Sequence, residues 1–111
     1  MKQKINADLF CSLDIRVGEI IQVKEFPEAK KNLYLVTVNF GDLTLKSAAG
    51  LKGIKRPEEL IGLKVIGITN IVPKQIGKHI SECLILAAKD GNGKPNLLKT
   101  EKDSKPGAEI F

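Results

Sequence analysis

Arg56-Pro57-Glu58-Glu59-Leu60-Ile61-Gly62 reads as one short helix standing between two groups of strands. Proline suits a first helical position, where its missing N–H has no partner to lose, the two glutamates favour the positive end of the helix dipole, and the glycine stops the turn. Upstream the chain reads as three strands. Asp14 to Glu25 is rich in Ile and Val, with Gly18 set where a bulge or sharp bend lets the strand curl. After a turn over Pro27 to Asn32, Leu33 to Phe40 alternates, with Tyr34, Val36, Val38 and Phe40 facing one way and Leu35, Thr37 and Asn39 the other. Gly41-Asp42 is a tight hairpin signal, so Leu43 to Ala49 returns antiparallel. Downstream, Lys64 to Thr69 and Cys83 to Ala88 read as two buried strands.

Three strands, a short helix and two strands form the order of a mainly β, five-stranded Greek-key barrel of the oligonucleotide- and oligosaccharide-binding (OB) type. An immunoglobulin-like sandwich needs about seven strands and has no use for the helix; an SH3-like barrel stays open as an alternative. With 111 residues the chain holds one core. We divide it into an N-terminal helical segment (1–13), the barrel (14–88) and a C-terminal extension (89–111). In the first, Asn6 caps a short helix whose Leu9, Phe10 and Leu13 share a side and dock. In the last, the turn Asp90-Gly-Asn-Gly93 leads to Asn96-Leu-Leu-Lys99, and Pro106-Gly107 breaks the chain before Ile110 and Phe111. An apolar end is costly unless covered, so Ile110 and Phe111 are expected to close a symmetric dimer with Phe10.

Composition excludes several classes. No apolar run approaches the roughly 20 residues of a membrane span, and no signal-peptide pattern opens the chain, so a cytoplasmic protein without membrane association is expected. Two cysteines and one histidine provide no zinc-ligand spacing or redox pair, and Cys11 and Cys83 read as buried thiols. A strand starting between His79 and Cys83 disfavours a Cys/His nucleophile. With no paired carboxylates, metal cluster or phosphate-cradling glycine loop, we expect neither catalysis, metal nor cofactor. The net charge of +5 favours an anionic partner, although it also serves solubility.

Between the last two strands lies Asn70-Ile-Val-Pro-Lys-Gln-Ile-Gly-Lys-His-Ile-Ser81, a polar, basic loop placed where scaffolds present function. The chain resembles the tRNA-binding domain family through Leu13-Asp-Ile-Arg-Val-Gly18, Phe26-Pro-Glu-Ala29 leading to Leu33-Tyr34, Pro57-Glu-Glu-Leu-Ile-Gly62, and Asn70, Pro73 and Ser81 ahead of Leu84-Ile-Leu-Ala-Ala88. Members are free-standing dimers, beta subunits or C-terminal extensions of methionyl-tRNA synthetase, and CsaA-like chaperones. The resemblance implies an OB barrel, a homodimer, and binding to the outer corner of tRNA by shape, with Lys46, Asn70, Lys74, Gln75 and Ser81 at the binding loop. Gln75 stands where a basic residue is usual, and Lys78 follows Gly77 where glycine is usual. Ser81-Glu82-Cys83 leans toward the chaperone-like branch.

Lys78 and His79 belong to the same loop. Lys30, Lys31, Lys52 and Lys55 read equally well as further phosphate contacts or as a solvated face. His79 reads as solvent-facing or as a phosphate partner, Arg16 as a structural ion-pair residue and Tyr34 as core. Asn70 and Ser81, taken without the family, read better as turn and loop stabilisers. Aromatics at 5% and no tryptophan leave no stacking platform for single strands. The expected function is thus a tRNA-binding homodimer, alone or beside methionyl-tRNA synthetase; the alternative is a CsaA-like chaperone holding unfolded polypeptide.

Overall fold

A computed structural model describes residues 1–25 and 33–111. The turn expected over Pro27–Asn32, with Lys30, Lys31 and the motif Phe26-Pro-Glu-Ala29, lies outside the described residues. The elements are α1 (Ala7–Cys11), β1 (Ile15–Glu25), β2 (Tyr34–Asn39), β3 (Thr44–Ala49), α2 (Pro57–Leu60), β4 (Lys64–Ile68), β5 (Lys74–Ile76), β6 (His79–Ser81), β7 (Leu84–Ile85), β8 (Ala87–Lys89) and β9 (Pro95–Leu97). A five-stranded antiparallel sheet of order β3-β2-β1-β4-β7 curls into a nearly closed OB-type barrel, with β5–β6 and β8–β9 as separate hairpins.

The alternation of β2 sorts as its sequence predicts: Tyr34, Val36, Val38 and Phe40 are buried with Ile20, Leu60, Val65 and Cys83 in one core. Leu35 is buried as well, although it lies on the other side of the pleat. The β-bulge of β1 lies between Ile20 and Gln22, not at Gly18. Gly18 serves a different need. A Cβ there would lie 2.5 Å from Val38 Cγ1 and 2.7 Å from Phe40 Cε1, and one at Gly67 would lie 2.9 Å from Phe40 Cζ. Both glycines give way to one buried ring.

α2 is built as read, with Pro57 in its first turn, Leu60 fully buried, and Glu59 Oε1 accepting the Arg56 N–H at 2.9 Å. Gly62, at φ +89°, turns the chain out of it and donates to Ile20 O. α1 departs from expectation. Asn6 occupies the N-cap position without a side-chain cap, the helix has five residues, and none is buried. It is too short to bring Leu9, Phe10 and Leu13 together against the barrel, and all three stay exposed.

The fifth strand is split. β7 pairs with Gly67 and Ile68 of β4, and after Leu86 the chain leaves the barrel as β8 to pair with β9. The C-terminal extension returns to β1: Gly107 N–H donates to Val17 O, Val17 N–H to Ala108 O, and Ile110 N–H to Ile15 O. This part of the tail is tied to its own barrel, because the first residues of β1 extend beyond the reach of β2. Gly107, at φ +95°, lets the chain turn with its Cα stacked on the β2–β3 hairpin, where a Cβ would lie 2.7 Å from Phe40 O.

Candidate nucleic-acid interface

The basic segment after β4 is an ordered hairpin rather than an open loop. β5 and β6 pair through Lys74↔Ser81, Gln75↔Ile80 and Ile76↔His79, and Gly77, at φ +60°, makes the turn with Lys78. Glycine two residues before the imidazole is what a two-residue hairpin turn requires. The Gln75 amide donates to Gly77 O at 3.1 Å, bracing that turn.

The hairpin is fastened to β3 by a seam of one backbone bond and three side-chain bonds. Glu82 N–H donates to Lys46 O at 2.7 Å, and Glu82 Oε1 accepts the Lys46 N–H at 3.0 Å. Ser81 Oγ accepts the Ala48 N–H at 3.1 Å, while Ser47 Oγ donates to Cys83 O at 2.9 Å. A backbone ladder between β3 and β7 is replaced here by hydroxyl and carboxylate groups, which satisfy the amides of the β3 edge.

This seam brings Lys46, Lys78 and His79 to one open groove of about 340 Å³, completed by Leu35, Ile80 and Glu82. Lys74 and Gln75 are exposed on the same hairpin. Lys55 lies elsewhere, in a second groove with Lys64 and Lys99, and Lys52 belongs to the turn that precedes α2. Nothing in the sequence marks Leu35, Ile80 and Glu82 as groove residues: an apolar residue on an outer strand face and an acid at a strand edge acquire that meaning only through the docking of the hairpin.

Asn70 and Ser81 both spend side-chain bonds on the backbone of other segments. Asn70 Oδ1 accepts the Asp14 N–H at 2.9 Å, and its Nδ2 donates to Ser12 O at 2.8 Å. Both residues bond backbone far away in sequence, so they tie distant segments together rather than stabilising their own turn or loop as the plain reading expected. Arg16 is the structural ion-pair residue expected, 3.0 Å from Asp14 and 2.9 Å from Asp42. Its guanidinium holds the Asp14 carboxyl below the usual carboxylate range. Tyr34 is core, its hydroxyl donating to Lys55 O at 3.1 Å.

The thiols part company. Cys83 is buried as expected, but Cys11 is exposed because α1 does not dock. Burial pushes the Cys83 thiol up to about 11, the opposite of what a nucleophile needs. Among the described residues no group of His, Cys, Asp and Glu could hold a metal ion, and no helix is long and apolar enough to cross a membrane. Phe10, Ile110 and Phe111 line one further cleft with Cys11, Leu13 and Glu109. Phe111 is 98% exposed and Phe10 42%, so the cleft is an apolar surface open to solvent.

A small OB-type barrel with a basic hairpin clamped beside its third strand belongs to the class of small binding modules. Residues 15–109 match the family described as "Putative tRNA binding domain", and the chain belongs to that family. Over 97% of its length it is 38% identical to a methionine-tRNA ligase of Methanocaldococcus jannaschii, of which it spans 16%. The CsaA chaperone protein of Picrophilus torridus superposes with a TM-score of 0.90 at 38% identity, covering 97% of this chain and 100% of that one. A MetRS related protein of Pyrococcus horikoshii gives 0.87 at 25% identity, covering 99% and 100%.

Proposed function

We propose that the chain is a non-catalytic, homodimeric, cytoplasmic tRNA-binding module that recognises RNA by shape through the β5–β6 hairpin. The observation that carries this reading is the convergence of Lys46, Lys78 and His79, from two separate elements, on one groove. A-form RNA has a major groove too narrow for side chains, so a small protein gains most from ammonium groups set against its phosphates and polar contacts to its 2′-hydroxyls. Lys74 and Gln75 extend that contact along the hairpin. Relatedness to methionine-tRNA ligases supports a module that strengthens a synthetase's hold on tRNA, either within a longer chain or as a partner. Two copies joined at the Phe10, Ile110 and Phe111 surface double the basic footprint, and bivalent contact turns individually weak lysine contacts into useful affinity.

Titration of total tRNA across a salt series tests this. Affinity is expected to fall steeply with salt, and the Lys46→Ala/Lys78→Ala variant to flatten the log–log slope by roughly 0.7–0.9 for each phosphate that is no longer neutralised. Absence of saturable binding at low salt in the unaltered protein overturns the reading. One observation favours a second function: the exposed surface of Leu9, Phe10, Leu13 and Phe111, on a chain that superposes on a CsaA chaperone along its whole length, suits capture of unfolded polypeptide. Suppressed aggregation of a denatured client, lost in Phe10→Ser and insensitive to salt, distinguishes it.

A further inference from the structure

We propose that Asn70 is a positioning residue for the N-terminal segment and, through it, for the apolar association surface, and that it is not an RNA contact. Its side-chain amide behaves as one more peptide unit of a β ladder. The β1–β4 pairing ends at Ile15↔Ile68, and the next bond is Thr69 N–H to Asp14 O at 2.8 Å. One residue further the backbone ladder stops, and the Asn70 side chain continues it: Oδ1 accepts the Asp14 N–H and Nδ2 donates to Ser12 O. An amide is peptide-like in carrying a donor and an acceptor on two separate atoms, whereas a Ser hydroxyl carries both on one atom and an ionised Asp only accepts.

The N-terminal segment needs such a clamp. α1 has five residues, none buried, and no side-chain N-cap, so neither propensity nor packing on the barrel fixes it. The two halves of the apolar cleft both hang on the start of β1. Ile110 is held by its N–H on Ile15 O, whereas Phe10 and Leu13 are held through residues 12–14. The Asn70 clamp therefore sets where the helical half stands relative to the C-terminal half. The two bonds fix the plane of the amide and commit it to the N-terminal segment. The association part of this inference rests on the dimer reading above; the assignment of Asn70 does not.

Native-state hydrogen exchange on the full chain, with Asn70→Ala and Asn70→Asp, tests it. In Asn70→Ala, exchange at the Asp14 amide is expected to speed up by about tenfold, the upper end for removal of one hydrogen bond, and self-association to weaken. Asn70→Asp keeps the acceptor and loses the donor, so Asp14 protection is retained while the segment before it loosens, a graded pattern that a general loss of stability does not produce. Affinity of Asn70→Ala for total tRNA, measured with dilute protein, is expected to stay within about twofold. Unchanged Asp14 protection in Asn70→Ala overturns the proposal, as does a drop of about tenfold in its tRNA affinity. If the unaltered protein binds no tRNA or stays monomeric, the function proposed above fails, while the exchange pattern still decides the role of Asn70.

Discussion

Phe40 shows how one side chain dictates residues distant in sequence. Its ring, fully buried, occupies the space that Cβ atoms at Gly18 and Gly67 would take. Gly67→Ala should destabilise the fold by about 1–3 kcal/mol through overpacking, read as a lower urea midpoint. Pairing it with Phe40→Leu should recover part of that loss. At the same scale, Asp14, Glu59, Asp90 and Asp103 all have depressed pKa values, from Arg16, the Arg56 N–H, the Lys94 N–H and Lys64 respectively. The unfolded chain takes up protons on these groups at higher pH than the folded one. Their stabilisation is therefore complete above the ordinary values of 3.8 and 4.5, and is lost as pH falls through the folded values. Urea midpoints should hold steady down to about pH 5 and then fall with acid, less steeply in Asp14→Asn.

At the scale of elements, β2, α2 and the β2–β3 hairpin were legible because each is decided locally: a two-residue alternation, a proline start with a glycine stop, and a tight turn. The β5–β6 hairpin was not. Three-residue strands separated by Gly77-Lys78 carry too short a pattern to be distinguished from a loop, and what orders them is the docking on β3. The seam is the test of that account. Ser81→Ala leaves the Ala48 N–H without its acceptor, and should destabilise the protein by about 1–3 kcal/mol, with the exchange of the Ala48 amide accelerated more than that of the β1–β2 ladder. α1 failed in the other direction. Its apolar spacing was real, but among the described residues the face it makes meets only the open cleft beside Ile110 and Phe111 and is not buried.

Over the whole molecule, closure depends on segments distant in sequence. The stretch from Gly107 to Ile110 supplies β1 with a neighbour, and Lys64 holds Asp103 at 2.8 Å and the Ser104 carbonyl at 2.8 Å, fastening the approach to it. Removing residues 107–111 strips three backbone bonds from Ile15 and Val17, each worth about 0.5–1.5 kcal/mol net, and should lower the thermal midpoint while uncovering the Val17 amide to exchange. Read from its residues alone, this chain is already a mainly β barrel with a helix after the third strand, a basic segment between the last two strands and an apolar tail. Those properties follow from periodicity and from turn chemistry, which act over a few residues. The hairpin, the seam, the long-range bonds of Asn70 and Ser81, and the convergence of Lys46 with Lys78 and His79 belong to the folded state. Apart from the hairpin's own pairing, they join groups some 30 to 58 residues apart, and only the curvature of the nearly closed sheet brings those groups together.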